Sequence, residues 1–234
     1  MNPSLAAPYK ILLIVTSHAQ LGATGQPTGF WLEELAAPYL ELTRAGAEVD
    51  IASPRGGEPP ADPKRLGPQD SVTDFLADAA ATHKLRHTRR LEAVTETYDA
   101  YFVVGGHGVL WDLAADAALQ RLLGKAFDDG KVVAAVCHGP AALIDVKLRD
   151  GWPLVKGRRV AGFSNEEETA VGLDKVVPYL LQDKLEERGG HYRRGPMWAP
   201  FAVRDGRLVT GQNPASSTAT ARETLAALAE SRPR

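Results

Sequence analysis

Cysteine is almost absent from this chain, since Cys137 is the only one among 234 residues. A single cysteine cannot form an internal disulfide bond, which is typical of a reducing compartment and leaves the thiol free. Apolar runs are also short, and none approaches the roughly 18 residues that cross a membrane. The first residues lack the basic and then apolar pattern of a secretory signal. We therefore expect a cytoplasmic protein with no membrane partner.

An excess of charge of one sign is missing as well. The 27 basic and 29 acidic residues are mixed along the sequence and leave a formal net charge of −2. This balance excludes the basic surface that nucleic acids or anionic lipids require. Internal repeats and low-complexity tracts are not found. With 44% hydrophobic and 24% charged residues the composition is that of a globular protein, and we expect one domain over residues 1–234.

Strand and helix patterns alternate along the chain, with apolar β-branched runs for the strands and amphipathic stretches for the helices. The predicted strands cover residues 10–16, 48–52, 101–104, 132–136, 159–162 and 208–210, and the predicted helices cover 31–44, 116–127 and 217–230. This order predicts an α/β fold, a flavodoxin-like three-layer sandwich whose mostly parallel sheet has helices on both faces. In such sheets the active site lies beyond the carboxyl ends of the strands.

An inserted segment, about residues 55–95, separates the second predicted strand from the third. Residues 53–64 are rich in proline and glycine and predict a loop, whereas residues 70–92 predict one or two helices. The segment either caps the active site or lines an interface between subunits.

Cys137 follows the buried strand 132–136 and precedes Gly139 and Pro140. Glycine leaves room for a sharp bend and proline suits the first turn of a helix, so the pattern predicts a strand–turn–helix elbow. A thiol at such an elbow faces the N–H groups of the helix, which favour the thiolate, and is a candidate nucleophile. A lone cysteine is more often a small buried hydrophobic residue, and the elbow pattern alone leaves both interpretations open.

Short motifs recur in a fixed order along the chain. They are Thr28–Glu34 with Pro38, Ser53-Pro54 with Gly56-Gly57, Gly105–Gly108 with Asp112, Ala135–Pro140, Gly162–Asn165, and Thr210–Pro214. Together they resemble the PfpI superfamily, which has the fold of class I glutamine amidotransferases, and within it the branch of heat-shock chaperones and glyoxalase III enzymes. The resemblance covers nearly the whole chain and implies a nucleophile elbow at Cys137.

The resemblance also makes Glu34 the acid beside the thiol. A carboxyl group that burial keeps protonated can donate a hydrogen bond to a thiolate and move protons during catalysis. Its neighbour Glu33 is the alternative, and both glutamates would also suit a solvated first helical turn.

His138 directly follows the nucleophile, so its backbone N–H is placed for an oxyanion hole and its ring can act as acid or base. Gly106 offers the second oxyanion donor. The string Gly105–Gly108 lacks the Lys-Ser/Thr pair of a P-loop and the spacing of a dinucleotide fingerprint, so phosphate binding is not expected.

The resemblance places the acid that orients the His138 ring after Asn165, and alignment by eye favours Glu168 while leaving Glu167 open. Adjacent glutamates are also typical of a solvated helix start. His18 and His107 follow predicted strands on the same side of the sheet, and we expect them to line the substrate pocket.

No metal or cofactor is expected. His83 and His87 have the i, i+4 spacing of helical metal ligands, but Lys84, Arg86 and Arg89 would repel a cation.

The resemblance implies a cofactor-independent cysteine enzyme of small reactive carbonyls, which converts methylglyoxal to lactate as glyoxalase III does, with protein deglycation as a related activity. The expected partners are a small aldehyde substrate and a second copy of the chain in a homodimer. One alternative is a stress holdase or redox-sensing thiol protein, which would bind unfolded chains through an exposed apolar surface. Another is a cysteine peptidase or amidase, because an elbow and an oxyanion hole also suit acyl transfer.

Overall fold

The computed structural model describes residues 8–64 and 70–231. Its strands are β1 (Lys10–Ile14), β2 (Glu48–Ser53), β3 (Arg89–Arg90), β4 (Ala100–Val103), β5 (Val132–Val136), β6 (Arg159–Val160), β7 (His191–Tyr192), β8 (Ala202–Asp205) and β9 (Leu208–Gly211). One sheet has the order β3-β2-β1-β4-β5-β9-β8, and its neighbours are parallel except for β8 and β9. The predicted α/β fold with a mostly parallel sheet is confirmed.

The central strands are buried on both faces, because every residue of β4 and β5 is buried. The continuous apolar sequence of these strands is therefore covered by other elements on each face of the sheet. That cover includes α1 (Leu32–Arg44), α4 (Ala117–Asp128) and α7 (Ser217–Ser231), of which α4 and α7 pack directly on β5. Each fully buried Val or Leu contributes about 1.5–3 kcal/mol, so this core fixes the strand ends that carry the site.

Local sequence signals set the helix boundaries. The carboxylate of Asp116 caps α4 by accepting hydrogen bonds from the N–H groups of Ala118 and Leu119 at 2.8 and 2.9 Å. Helix α1 ends at Arg44, and Gly46 just beyond it has a φ of +86°, a conformation that favours glycine.

The inserted segment has two parts with different positions. Its loop reaches the carboxyl edge of the sheet, where Ala61 bridges to Phe30 and Asp62 accepts a hydrogen bond from Thr28 at 3.0 Å. Its helices, α2 (Asp70–Ala77) and α3 (Ala79–Arg86), follow residues 65–69, which lie outside the described chain. Helix α2 packs on α1, with the Phe75 and Tyr39 rings in edge contact at 5.2 Å.

Two short helices complete the described chain, α5 (Asn165–Ala170) and α6 (Leu181–Glu187). Strands β6 and β7 lie outside the main sheet and form a parallel pair of their own. None of the helices in residues 8–64 and 70–231 is both long and apolar enough to cross a membrane.

Candidate active site

A cavity of about 590 Å³ opens beyond the carboxyl ends of β4 and β5. Among the predicted site residues, Glu34, Gly106, His107, Cys137 and His138 all line it. The sheet topology explains this meeting, because parallel strands bring their following residues to one edge. The volume lies within the range of about 300–1,000 Å³ that is usual for ligand pockets.

The chain bends sharply at Cys137, which has a φ of +60°. A non-glycine residue in the left-handed region is strained, and such strain is found most often at functional sites. Glycines make the bend possible, because a Cβ on Gly139 would lie 2.4 Å from the carbonyl oxygen of Val103, and one on Gly105 would lie 2.8 Å from the Cβ of Cys137. The predicted nucleophile elbow is therefore present in the backbone.

The segment after the elbow differs from the expectation. Residues Gly139–Leu143 form a short 3-10 helix rather than an α-helix, with Ala141 N–H bonded to His138 and Ile144 N–H bonded to Ala141. Five residues with i to i+3 bonds carry little of the dipole of a full helix. Burial raises the pKa of the Cys137 thiol, so ionisation depends on the groups beside the sulfur rather than on a helix.

Glu34 is fully buried in the first turn of α1 and interacts with the Cys137 side chain. Its carboxyl oxygens lack a hydrogen bond of standard geometry among the described residues. Burial raises its pKa well above the ordinary value, so the carboxyl group is protonated at neutral pH and can donate to sulfur. The alternative, Glu33, is only half-buried at the cavity wall. The geometry thus favours Glu34 as the acid beside the thiol.

Cys137, His138 and Glu168 form a hydrogen-bonded chain. Nδ1 of His138 lies 3.4 Å from Sγ of Cys137, and Nε2 of His138 lies 2.7 Å from Oε2 of Glu168. Burial and the neighbouring His107 lower the pKa of His138, so its ring is neutral at rest. Burial opposes ionisation of Glu168, yet His138 and His107 hold its pKa well below the usual range. The arrangement matches a nucleophile, a base and an orienting carboxylate.

Glu167 was the alternative orienting residue, but its contacts point elsewhere. It is fully buried and accepts hydrogen bonds from Ser164, Trp198, Gln212 and Asn213. These bonds connect α5 to two other segments of the chain. Between the two glutamates, only Glu168 hydrogen-bonds to His138 in the described structure.

Gly106 follows β4 and has a φ of +106°. A Cβ at this position would lie 2.3 Å from the carbonyl oxygen of Gly29 and 2.7 Å from the backbone nitrogen of Trp31. Glycine is therefore required for the chain to pass this close to the start of α1. The position at the cavity wall suits the predicted oxyanion role, together with the His138 N–H, which points to the sulfur.

The two other predicted histidines lie in different places. His107 lines the cavity, and its Nε2 lies 2.8 Å from Oε1 of Glu168. His18 does not line it, which corrects the expectation. Its ring stacks on Trp111 at 5.3 Å and its Nε2 lies 2.6 Å from the carbonyl oxygen of Gln20, in a separate cavity of about 350 Å³.

Aromatic residues of the cavity wall were missed by the sequence analysis. Phe163 packs on the His138 ring at 4.5 Å and on Trp198 at 5.8 Å, and Trp31 closes another part of the wall. Trp198 has a φ of +64°, held by a hydrogen bond of 3.0 Å from its N–H to Glu167. Phe163 and Trp31 lie within the motifs described above, whereas no motif or periodicity marks Trp198.

One group of side chains has the composition of a metal site. The ligand atoms of His107, His138 and Glu168 lie within 4.8 Å of one another. The same atoms hydrogen-bond to each other at 2.7 and 2.8 Å, which is the arrangement of two imidazole N–H groups that donate to one carboxylate. His83 and His87 stack on each other at 4.4 Å on the surface, where Nδ1 of His87 contacts the carbonyl oxygen of His83.

The chain is similar to known proteins over nearly its whole length. The chain is 35% identical to glutathione-independent glyoxalase HSP31 of Saccharomyces cerevisiae over 240 residues, which cover 95% of this chain and 99% of that protein. The crystal structure of glyoxalase III from Candida albicans has a TM-score of 0.85 at 29% identity and covers 94% of this chain and 97% of its own.

A third relative has no glyoxalase in its name. The X-ray structure of the 24 kDa Rapid Encystment Protein of Francisella tularensis has a TM-score of 0.90 at 36% identity and covers 94% of this chain and 99% of its own. The sequence profile of the DJ-1/PfpI family matches residues 27–227. The chain therefore belongs to the DJ-1/PfpI family, within its HSP31/glyoxalase III branch.

Proposed function

We propose that this protein is a glutathione-independent glyoxalase that converts methylglyoxal to lactate. The observation that carries the proposal is the meeting of Cys137, the His138–Glu168 pair and the buried acid Glu34 at one wall of the cavity. The names of the yeast relatives support the same activity. The substrate is a small aldehyde, and the reaction is an internal isomerisation followed by hydration, which needs no external redox partner.

The cavity wall carries a suitable group for each step up to the hemithioacetal. His138 accepts the thiol proton through Nδ1 while Glu168 stabilises the ring. The sulfur of Cys137 then adds to the aldehyde carbon and forms a hemithioacetal. The N–H groups of Gly106 and His138 stabilise the developing negative oxygen, and Glu34 donates a hydrogen bond at the sulfur. A proton then moves between the two carbons, and water releases lactate from the resulting thioester.

The test is lactate formation by the pure protein with methylglyoxal and without glutathione. We expect lactate from the wild type and none from Cys137→Ala, which removes the nucleophile. His191→Ala, at an exposed position in β7, is the control and should keep wild-type turnover. Absence of lactate from the wild type, or undiminished lactate from Cys137→Ala, would refute the proposal.

A stress holdase is the second candidate, and exposed apolar side chains favour it. Val171, Met197 and Trp198 are 41%, 41% and 39% exposed, and Val171 and Trp198 border the cavity mouth. Suppression of aggregation that survives Cys137→Ala would support this function. Cleavage of peptide or amide substrates by the wild type would instead favour the peptidase alternative. The homodimer and the cytoplasmic location stay predictions, tested by light scattering and by fractionation.

A further inference from the structure

Glu168 orients two imidazole rings rather than one. Its Oε2 lies 2.7 Å from Nε2 of His138, and its Oε1 lies 2.8 Å from Nε2 of His107. The ring centroids of the two histidines are 4.1 Å apart. Activation of the thiol uses only His138, so the second ring on the same carboxylate has no role in that step.

The charge of Glu168 fixes the hydrogen-bond roles of both rings. An ionised carboxylate can only accept hydrogen bonds, so each Nε2 carries a hydrogen, and the neutral form of either imidazole then has its lone pair on Nδ1. In His138 this lone pair faces Sγ of Cys137 at 3.4 Å. In His107, Nδ1 has no hydrogen-bond partner among the described residues, and the ring borders the cavity. The site therefore holds a second oriented base that faces the substrate space.

We propose that His107 is the catalytic base that moves a proton between the two carbonyl carbons of an α-oxoaldehyde bound to Cys137. This role rests on the glyoxalase function proposed above. His138 is only 1% exposed and its Nδ1 faces the sulfur, whereas the C–H bond that breaks lies one bond beyond the sulfur, in the cavity. Glu34 is fully buried and protonated, so it is a donor and not an acceptor.

The step balances without a co-reactant. Nδ1 of His107 takes the C–H proton of the hemithioacetal carbon, and the electron pair of that bond forms a C=C bond as the neighbouring ketone becomes an enediolate oxygen. The first hydroxyl passes its proton to that oxygen. The His107 imidazolium then returns its proton to the second carbon, and the thioester C=O forms. Oxidation of the first carbon is balanced by reduction of the second, and His107 ends as it began.

His107→Gln separates this role from a structural one, because a glutamine amide keeps an N–H donor for Glu168 and offers no base. We expect turnover of methylglyoxal to fall by about 10²–10⁴-fold. Alkylation of Cys137 by iodoacetamide should keep its wild-type rate, since it depends on His138. With methylglyoxal deuterated at the aldehyde carbon, the isotope effect on kcat should be larger in the variant, because C–H cleavage has become the slowest step.

His107→Ala gives an independent measurement. Imidazole added in solution should restore part of its turnover if the missing group is a base, whereas His87→Ala, at an exposed position in the inserted segment, should show neither loss nor rescue. Wild-type turnover by His107→Gln would overturn the assignment. A parallel loss of turnover and alkylation, with no imidazole rescue of His107→Ala, would also overturn it. Absence of lactate from the wild-type protein refutes the glyoxalase function itself and with it this role.

Discussion

Burial of Glu34 decides the protonation state beside the nucleophile. An ionised carboxylate there would oppose formation of the thiolate, and it is one of the causes that raise the pKa of Cys137. Desolvation of the fully buried Glu34 keeps the acid neutral instead, and the same O–H then stabilises sulfur when it is charged. The position of Glu34 in the buried first turn of α1 therefore makes it a hydrogen-bond donor to the sulfur rather than a negative charge beside it.

Glu34→Gln should change how stability depends on pH. In the unfolded chain Glu34 ionises near its ordinary value of 4.5, whereas in the native protein burial keeps it protonated to a higher pH. The native state therefore binds the extra proton between these values, so the free energy of unfolding falls as pH rises, by up to about 1.4 kcal/mol per pH unit. Glutamine cannot ionise, so the free energy of unfolding of the variant should lack this dependence on pH.

Urea unfolding at several pH values between about 5 and about 8 measures the effect. The stability of the variant relative to that of the wild type should increase as pH rises through this range, because only the wild type loses the contribution of the protonated carboxyl group. Parallel curves for the two proteins would show that Glu34 ionises in the native state as it does in the unfolded chain.

Single residues also show what the sequence could reveal of the site. Cys137, His138 and Gly106 follow strands whose apolar runs are easily recognised, so their meeting could be predicted from topology. His18 also follows a strand, but the hydrogen bonds of Thr16 and Ser17 to Asp112 hold that turn, and the His18 ring stacks on Trp111 instead. Contacts between loops that are distant in the sequence cannot be predicted from local sequence patterns.

At the scale of elements, most of the strands that could be predicted contain a buried apolar run. The strands β1, β2, β4 and β5 have between four and six residues each, and their apolar residues form a continuous run in β1, β4 and β5 and alternate with polar ones in β2. Strands β3 and β7 have two residues each and depend on partners elsewhere in the chain. The glycine and proline after Cys137 predict a helix but do not distinguish a 3-10 helix from an α-helix, because both can begin with the same residues.

Helix α5 connects the catalytic chain to the cavity wall through neighbouring glutamates. Glu168 contacts the two histidines, whereas Glu167 accepts the N–H of Trp198 at 3.0 Å and the amide of Asn213 at 2.7 Å. A capping box between Ser164 and Glu167 fixes the start of the helix. The position of Glu168 therefore depends on a buried network that does not touch substrate.

Glu167→Gln should destabilise the protein by about 2 kcal/mol or more, because an amide nitrogen cannot accept the buried hydrogen bonds that the carboxylate accepts. Glu166→Gln is the matched control one residue away, where an exposed side chain pairs with Arg194. Loss of the ion pair between Glu166 and Arg194 should lower the free energy of unfolding by less than about 1 kcal/mol. Urea unfolding measures both changes, and equal effects would show that the network around Glu167 contributes no more than a surface ion pair.

At the scale of the whole molecule, the sheet, the inserted loop and the segment around Trp198 together enclose more space than methylglyoxal fills. A cavity of about 590 Å³ suits a molecule many times larger than a three-carbon aldehyde. Phe163, Leu173 and Trp198 supply apolar wall around the thiol. In the proposed reaction the α-oxoaldehyde occupies only the end of the cavity beside Cys137, which leaves space for an apolar side chain of the substrate.

We therefore expect phenylglyoxal to show a KM roughly ten- to a hundredfold lower than that of methylglyoxal, because burying a phenyl group in place of a methyl group adds about 1.5–3 kcal/mol of apolar contact. Trp198→Ala should remove most of this preference while leaving kcat for methylglyoxal nearly unchanged. Trp152→Ala is the control, since Trp152 is 57% exposed beneath Lys156 and does not line this cavity. Equal KM values for the two aldehydes in the wild type, or a preference that survives Trp198→Ala, would mean that the aromatic wall does not contact the substrate.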